Sequence, residues 1–245
     1  MKNLRREMKS AVILEILFIL LTLAAYTVGR YVYRRSGYVW LHSVITATLL
    51  VILFFAATGV DLALYESNTR VIKYLLNLSV VSFGYLLHKN FDFIRKRGAS
   101  ILLANFAGSL IAVLSVAAVA IPLGADLELI ATILPRSVTT PIAIVISEQT
   151  GGVVYLTAVI VILSGIFGAV TGPWVLKKAG ITTPLGYGLA LGASSHGIGT
   201  AKALEAGALQ GAAGGLAIAL MGIFTSVIIP LIIPIIKIII FKLGV

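Results

Sequence analysis

The chain of 245 residues is 59% hydrophobic and only 11% charged, and its mean hydropathy is +1.07. This composition excludes a soluble globular domain and predicts an all-α polytopic membrane protein. The lack of cysteine excludes disulfides, thiolate metal sites and thiol nucleophiles. The net charge of +10 reflects Lys and Arg at the ends of apolar segments, where it indicates membrane orientation and not nucleic-acid binding.

About six apolar segments are long enough to cross a bilayer. They cover residues 11–29, 38–60, 71–87, 99–123, 154–176 and 211–245. The first is too long for a signal peptide and no small-residue cleavage site follows it, so we expect a retained span. We expect one membrane domain over 1–245, with four spans in 1–123 and two units of a broken helix plus a span in 124–245.

Two further apolar segments, 127–152 and 185–210, are interrupted by short polar stretches. These stretches are Leu134-Pro-Arg-Ser-Val-Thr-Thr-Pro141 and Gly192-Ala-Ser-Ser-His-Gly-Ile-Gly-Thr-Ala-Lys202. Inside a bilayer, backbone groups freed by such breaks are tolerated only where they meet protein or a wet cavity. Broken helices are therefore a sequence signal for a solute site in a transporter.

A weak internal repeat relates the two broken segments and the spans that follow them. A shift of 57 residues places Ser137 on Ser194, Glu148 on Glu205, Gly165 on Gly222 and Pro173 on Pro230. We place the basic loops at 30–38 and 88–98 in the cytoplasm. Lys177 and Lys178 then lie on the same side only if the first broken segment enters the membrane and returns. This pattern predicts re-entrant segments from opposite faces, an inverted-repeat plan, although it leaves a basic N-terminus outside.

The first break combines proline with hydroxyl side chains, at Ser137, Thr139, Thr140 and Pro141. A helix that starts at Pro141 would direct unpaired N–H groups into the break, and this positive end suits a carboxylate. The alternative is a simple kink whose hydroxyls bond to the preceding turn. Arg136 either binds a carboxylate or extends to the membrane interface.

The second break provides Ser194, Ser195, His196, Gly197, Gly199 and Thr200 as candidate solute-binding residues. Its glycines permit unusual backbone angles and close approach of a solute. His196 can donate, accept or carry a proton near neutral pH, which makes it the first candidate for proton coupling. Glu148 is the second, with a helix end at the surface as the alternative.

Other polar residues have simpler interpretations. Lys202 and Glu205 are spaced to form an ion pair, although Lys202 could instead attract an anion. Adjacent Ser194, Ser195 and His196 do not match a hydrolase motif, so we expect no enzyme activity, cofactor or metal. Single polar residues within spans are predicted to bond between helices, and the spaced glycines to pack within the bundle, with homo-oligomerisation as the alternative. The single polar residues are His42, Asn77 and Asn105. The spaced glycines are the pairs Gly168/Gly172, Gly207/Gly211 and Gly211/Gly215.

The polar breaks resemble the signature stretches of LrgB/CidB proteins. The resemblance is carried by Leu134–Ala143, Ser147–Gly152 and Ser195–Glu205, and the early stretch Leu23–Gly37 also fits. It implies an antiholin-like or holin-like protein linked to murein hydrolase control, with a small LrgA/CidA membrane partner. It also implies kinship with the plastidial glycolate/glycerate translocator, with bacterial pyruvate carriers and, distantly, with carriers that have crossing broken helices.

By position, the resemblance implies that the solute path is lined by Ser137, Thr139, Thr140, Pro141, Ser195, His196, Gly197, Gly199 and Thr200. The stretch Leu76–His88 departs from the small-residue, proline-containing pattern expected there. We therefore expect a proton- or ion-coupled secondary transporter of small monocarboxylates such as glycolate, pyruvate, lactate or glycerate, in a prokaryotic cytoplasmic membrane. The alternative is a membrane regulator of murein hydrolases and autolysis that transports nothing.

Overall fold

The computed structural model describes residues 2–38, 41, 43–72, 74–75, 78, 85, 88–89 and 91–243. The chain divides into two compact units, Met1–Val81 and Ser82–Val245. Every regular element in the described ranges is helical, as the composition predicted. His42, Asn77 and most of the predicted third span at 71–87 lie outside the described residues.

In the described part of the first unit, the helices with defined bounds are α1 (Lys2–Ser36), α2 (Ser43–Thr58) and α3 (Leu62–Ser67). An aromatic cluster of Phe18, Phe55 and Tyr65 joins them, with ring centroids 5.3–6.1 Å apart. Further along α1, a Cβ atom at Gly29 would lie 2.5 Å from the Ser43 carbonyl oxygen. Glycine there lets the α1 and α2 backbones approach closely, a recurrent device in membrane helix packing.

The second unit carries both predicted breaks. Its elements are α4 (Phe91–Arg95), α5 (Gly98–Ala120), α6 (Leu127–Ile133), a 3₁₀ turn (Leu134–Ser137), α7 (Thr140–Thr150), α8 (Val154–Lys178), α9 (Pro184–Ala206) and α10 (Ala208–Leu243). Asp126 and Thr183 cap the N-termini of α6 and α9 through their side-chain oxygens. The unit Ser82–Val245 contains α5 as well as the helices that follow it. The division of the membrane domain at residue 123, expected from the sequence, stays a prediction.

Four helices of the described ranges are long and apolar enough to cross a bilayer. They are Val12–Ser36, Gly98–Ala120, Val154–Lys178 and Ala208–Lys242, and Ser43–Thr58 is apolar but shorter. Large apolar side chains remain exposed along these helices, for example Leu103, Leu163 and Leu231. A lipid environment accounts for such surfaces, because hydrocarbon chains replace water around them. The protein is therefore a helical membrane protein.

The core of the second unit lies where α5, α7, α8 and α10 surround the first break. Its fully buried members include Ile130, Leu134, Val138, Val161 and Ile229. Two residues of the broken segment itself, Leu134 and Val138, are thus held inside protein and not in lipid. This placement satisfies the requirement that irregular backbone at membrane depth be covered.

Asn105 does not make the interhelical hydrogen bond that its isolated position predicted. Its side-chain Nδ2 donates to the Ile101 carbonyl of its own helix at 2.8 Å, and its Oδ1 has no partner among the described residues. The prediction was wrong because a buried polar side chain on a helix can bond to the carbonyl one turn earlier without a second helix.

Candidate functional site

The first break extends over about five residues between α6 and α7. Pro135 departs from helical geometry, and Val138 and Thr139 are extended, with ψ angles of 175° and 148°. Proline has no N–H group and cannot continue the helical hydrogen-bond ladder. α7 then begins with Thr140 and Pro141, so its unpaired N–H groups lie at the break.

The chain turns back on itself at this break. Thr157 of α8 donates to the Thr132 carbonyl of α6 at 3.0 Å and lies 2.7 Å from the Ser147 hydroxyl of α7. A straight helix would separate Thr132 from Ser147 by roughly 22 Å at 1.5 Å per residue. The hydrogen bonds therefore define a first hairpin, residues 127–150, in which α6 and α7 run antiparallel. The re-entrant path through the membrane that the charge pattern predicts stays a prediction.

The second break is a single sharp turn within α9. Ser195 (φ −136°, ψ 15°) and His196 (φ 40°, ψ −126°) interrupt the helix. His196 is the only non-glycine residue with positive φ in the described ranges. Such a conformation costs about 1–3 kcal/mol and persists only where surrounding contacts enforce it. It is a common feature of functional sites, and here it falls on the residue that the sequence singled out.

α9 also folds back, forming a second hairpin of residues 184–206. A Cβ atom at Gly199 would overlap the Leu191 carbonyl oxygen, although eight residues of straight helix would span about 12 Å. Gly192 on the first arm and Thr200 on the second both contact Gly214 of α10. The two arms therefore lie side by side against the start of α10.

The tips of both hairpins meet α8 near its middle. Ser164 donates to the Arg136 carbonyl of the first tip at 2.8 Å. One turn away, His196 Nε2 of the second tip lies 3.1 Å from the Val161 carbonyl oxygen. The first hairpin reaches this point from the N-terminal end of α8, and the second reaches it from the C-terminal end. The two sequence breaks are thus neighbours in space.

The middle of α8 is a part of the site that the sequence did not reveal. A carbonyl only accepts, so the contact with Val161 fixes the proton of neutral His196 on Nε2. The single hydroxyl hydrogen of Ser164 is shared between that carbonyl, at 3.0 Å, and the Arg136 carbonyl, and so links the two tips. A Cβ atom at Gly165 would lie 2.6 Å from the imidazole ring. The only sequence signal for this role of α8 was the serine Ser164 beside Gly165 in an apolar span.

Most predicted site residues lie at the two tips. Ser137, Ser195, His196, Gly199 and Thr200 are buried. Thr139, Thr140 and Gly197 are half-buried, whereas Pro141 and Ser194 are exposed, with the Ser194 hydroxyl 3.1 Å from that of Ser195. Thr200 Oγ1 is buried without a hydrogen-bond partner in the described part of the chain. The Thr200 side chain packs against Gly214 of α10, and Asn105 and Thr225, outside the hairpins, also carry buried polar atoms without a partner among the described residues.

Two predicted residues lie away from the tips. Glu148 is exposed in the last turn of α7, and Gly151 (φ 81°) ends that helix, as the helix-end interpretation expected. The Arg136 side chain lines a groove beside α5 and α6, with Ser115 and Leu129 among its neighbours, and none of the predicted second-break residues lines it. Arg136 and His196 thus contribute to the tips differently, the first by its backbone and the second by its ring.

The remaining sequence features have structural roles. Lys202 and Glu205 form an exposed ion pair at 2.6 Å, as their spacing predicted. Gly168 faces the Ser195 side chain and Gly172 faces Leu191, so this glycine pair receives the second hairpin. The prediction that these glycines pack within the bundle is confirmed for this pair.

Comparison with known proteins identifies the same family that the two polar breaks resemble. The LrgB-like family matches residues 22–235, a range that contains both hairpins and α8. The chain belongs to the LrgB-like family. The hairpin tips and the middle of α8 are therefore the candidate site of an LrgB-like protein.

Curated relatives match nearly the whole chain. The uncharacterized protein YxaC of Bacillus subtilis (strain 168) is 36% identical over 220 residues, which cover 90% of this chain and 96% of that protein. The antiholin-like protein LrgB of Bacillus cereus (strain B4264) is 31% identical over 217 residues, which cover 88% and 94%. No solved structure matched the chain.

Proposed function

We propose that this LrgB-like protein is a secondary transporter of small monocarboxylates, and that the hairpin tips bind the solute. The proposal rests on one observation: two broken helices from opposite ends of α8 meet at Val161 and Ser164. Broken helices that meet near the membrane midplane are the arrangement from which many secondary transporters build their solute sites.

The chemistry at the tips suits a carboxylate. α7 starts at the first tip and the second arm of α9 starts after His196, so two helix N-termini direct N–H groups towards the breaks. Hydroxyl groups of Ser137, Thr139 and Thr200 add donors that can also bond a hydroxyl or keto oxygen. Partial charges at two helix ends fit a monoanion of glycolate, pyruvate, lactate or glycerate size.

His196 is the proposed carrier of a coupled proton. Its Nε2 is committed to the Val161 carbonyl, which leaves Nδ1 to accept a proton or a solute hydroxyl. Transfer of a proton to Nδ1 would add a positive charge beside the bound carboxylate and strengthen its binding. Glu148, exposed at the end of α7, remains the less favoured candidate.

We further propose that the two hairpins and the spans after them form an inverted repeat. The shift of 57 residues places α7 on the second arm of α9 and α8 on the first part of α10. In such a repeat, rocking of one half against the other opens the central site to alternate sides of the membrane. We also propose that the chain has six full spans and lies in a prokaryotic cytoplasmic membrane.

The alternative is a membrane regulator of murein hydrolases that transports nothing. The observation in its favour is the name of the Bacillus cereus relative, an antiholin-like protein, and this name supports the alternative better than it supports transport. A small LrgA/CidA-like membrane protein is the partner that either function would use. The alternative gives no reason for the strained backbone of His196 at the second tip.

Binding and uptake by the purified protein separate the two functions. In the first test, glycolate, pyruvate, lactate and glycerate are added singly, and the thermal unfolding midpoint is measured with and without the small partner. A ligand that binds the native state must raise the midpoint. We expect at least one acid to do so, and His196→Ala to abolish its uptake into proteoliposomes at normal expression. No shift with any acid, with or without the partner, would favour the regulator.

A further inference from the structure

A groove on the second unit runs from the end of α5 to the first tip. Its volume is about 530 Å³. Most of its lining is apolar, with Val116, Val119, Leu123 and Ile133 among the contributors. Arg136 is the one charged residue in that lining. The groove therefore combines a long apolar wall with a single cation.

Arg136 is held at one end of this groove. Leu129 and Ile133 line it from successive turns of α6, and Arg136 lines it from the 3₁₀ turn that follows. The guanidinium makes one long hydrogen bond of 3.5 Å, to the Ser137 hydroxyl. No carboxylate of the described residues pairs with it. A cation at membrane depth is costly without an anion or water, so the groove favours a negatively charged group at this end.

The geometry points to a binding site for a single-chain carboxylate amphiphile, a fatty acid, with its carboxylate on Arg136 and its chain along the apolar wall. Guanidinium and carboxylate make bidentate, charge-assisted hydrogen bonds. A cavity of this volume is in the range of sites for drug-sized molecules and far exceeds the needs of a two- or three-carbon acid. This site adjoins the proposed transport site at Arg136, whose guanidinium also bonds to the Ser137 hydroxyl, whereas the apolar wall belongs to the groove alone.

The depth of Arg136 argues against a phospholipid in the same groove. Arg136 lies in the 3₁₀ turn that follows α6 (Leu127–Ile133), beyond about 10 Å of helix, and we take the start of α6 as the membrane interface. A phospholipid phosphate at that depth would carry its glycerol and second chain below the interface. A fatty acid has one chain and a small head group, so it can place the carboxylate beside the guanidinium at a lower cost.

The test uses the full chain in nanodiscs of zwitterionic phospholipid. The unfolding midpoint is measured with dodecanoate, with dodecan-1-ol as the uncharged control, and with a short acid that the transport assay identifies. Three variants are compared: Arg136→Gln removes the charge, Leu129→Trp fills the groove with the guanidinium kept, and Thr139→Ala changes the first tip. Leu129 is 39% exposed, so tryptophan there does not disturb the core.

We expect dodecanoate, but not dodecan-1-ol, to raise the midpoint by about 3 °C in the unaltered protein at a tenfold excess over its Kd. Arg136→Gln and Leu129→Trp should lose this shift, and Thr139→Ala should keep it. Equal shifts with acid and alcohol, or an undiminished shift in both groove variants, would overturn the site. A loss of short-acid binding in Arg136→Gln with dodecanoate binding intact would overturn it too. A dodecanoate shift without any short-acid shift would support the groove and reject the transport proposal.

Discussion

The two hairpins solve the same structural problem with different chemistry. The first is opened by prolines over several residues, and hydrogen bonds among Thr132, Ser147 and Thr157 hold its arms. The second turns at one strained residue, His196, and close packing of Gly199 on the Leu191 backbone holds its arms. We therefore expect loss of hydroxyl groups to weaken the first hairpin, and added volume at Gly199 to weaken the second.

The largest effect is expected at Gly199 in the second hairpin. A Cβ atom there would overlap the Leu191 carbonyl, and backbone cannot move aside as a flexible side chain can. Gly199→Ala should destabilise the protein by about 3 kcal/mol, the upper part of the usual range for overpacking. Thermal unfolding of the purified protein measures the change. Gly197→Ala is the matched control, because no atom lies within 4 Å of a Cβ at that position.

The first hairpin should respond most strongly to the loss of the Thr157 hydroxyl. Thr157→Val keeps the shape of the side chain but removes its hydrogen bonds with the Thr132 carbonyl and the Ser147 hydroxyl. We expect a loss of about 1–3 kcal/mol in unfolding free energy, because both partners are buried. Thr171→Val on the same helix removes only a bond to its own helix, at Phe167, and should cost less. Equal costs would show that the network does not hold the hairpin.

His196 allows backbone strain and side-chain function to be separated. Glycine adopts positive φ without steric cost, whereas alanine does not. His196→Gly should therefore be more stable than His196→Ala by about 1–2 kcal/mol. Both variants should fail to bind or transport the short acid, because both lack the imidazole. Solute binding retained by the glycine variant would remove the imidazole from the site.

The smallest expected change in stability is at Ser164, which links the two tips. Ser164→Ala removes its bonds to the Arg136 and Val161 carbonyls and should cost about 0.5–1.5 kcal/mol. Its effect on affinity for the short acid should be larger than this cost suggests, because both tips lose a shared anchor. Ser226→Ala is the control, since that hydroxyl bonds only to Gly222 of its own helix. Identical solute affinities in the two variants would argue against a positioning role for Ser164.

Much of the site could be read from the sequence because the breaks have a local chemical cause. Proline at 135 and 141, and serine and glycine around His196, weaken helical hydrogen bonding locally, although Pro173 and Pro230 lie inside α8 and α10 without a break. The family signature fell on the same residues. The contribution of Val161 could not be read from the sequence, because a backbone carbonyl looks the same at every position.

The sequence by itself determined that this is a helical membrane protein of the LrgB-like family, and where its two helices break. Composition and local backbone chemistry are sufficient for these conclusions. Only the tertiary structure decided that both breaks turn back and meet on α8, and that the Arg136 side chain leaves the tips for a groove beside α5. Partners of a freed carbonyl or a buried cation come from distant segments, and their positions depend on how the helices pack.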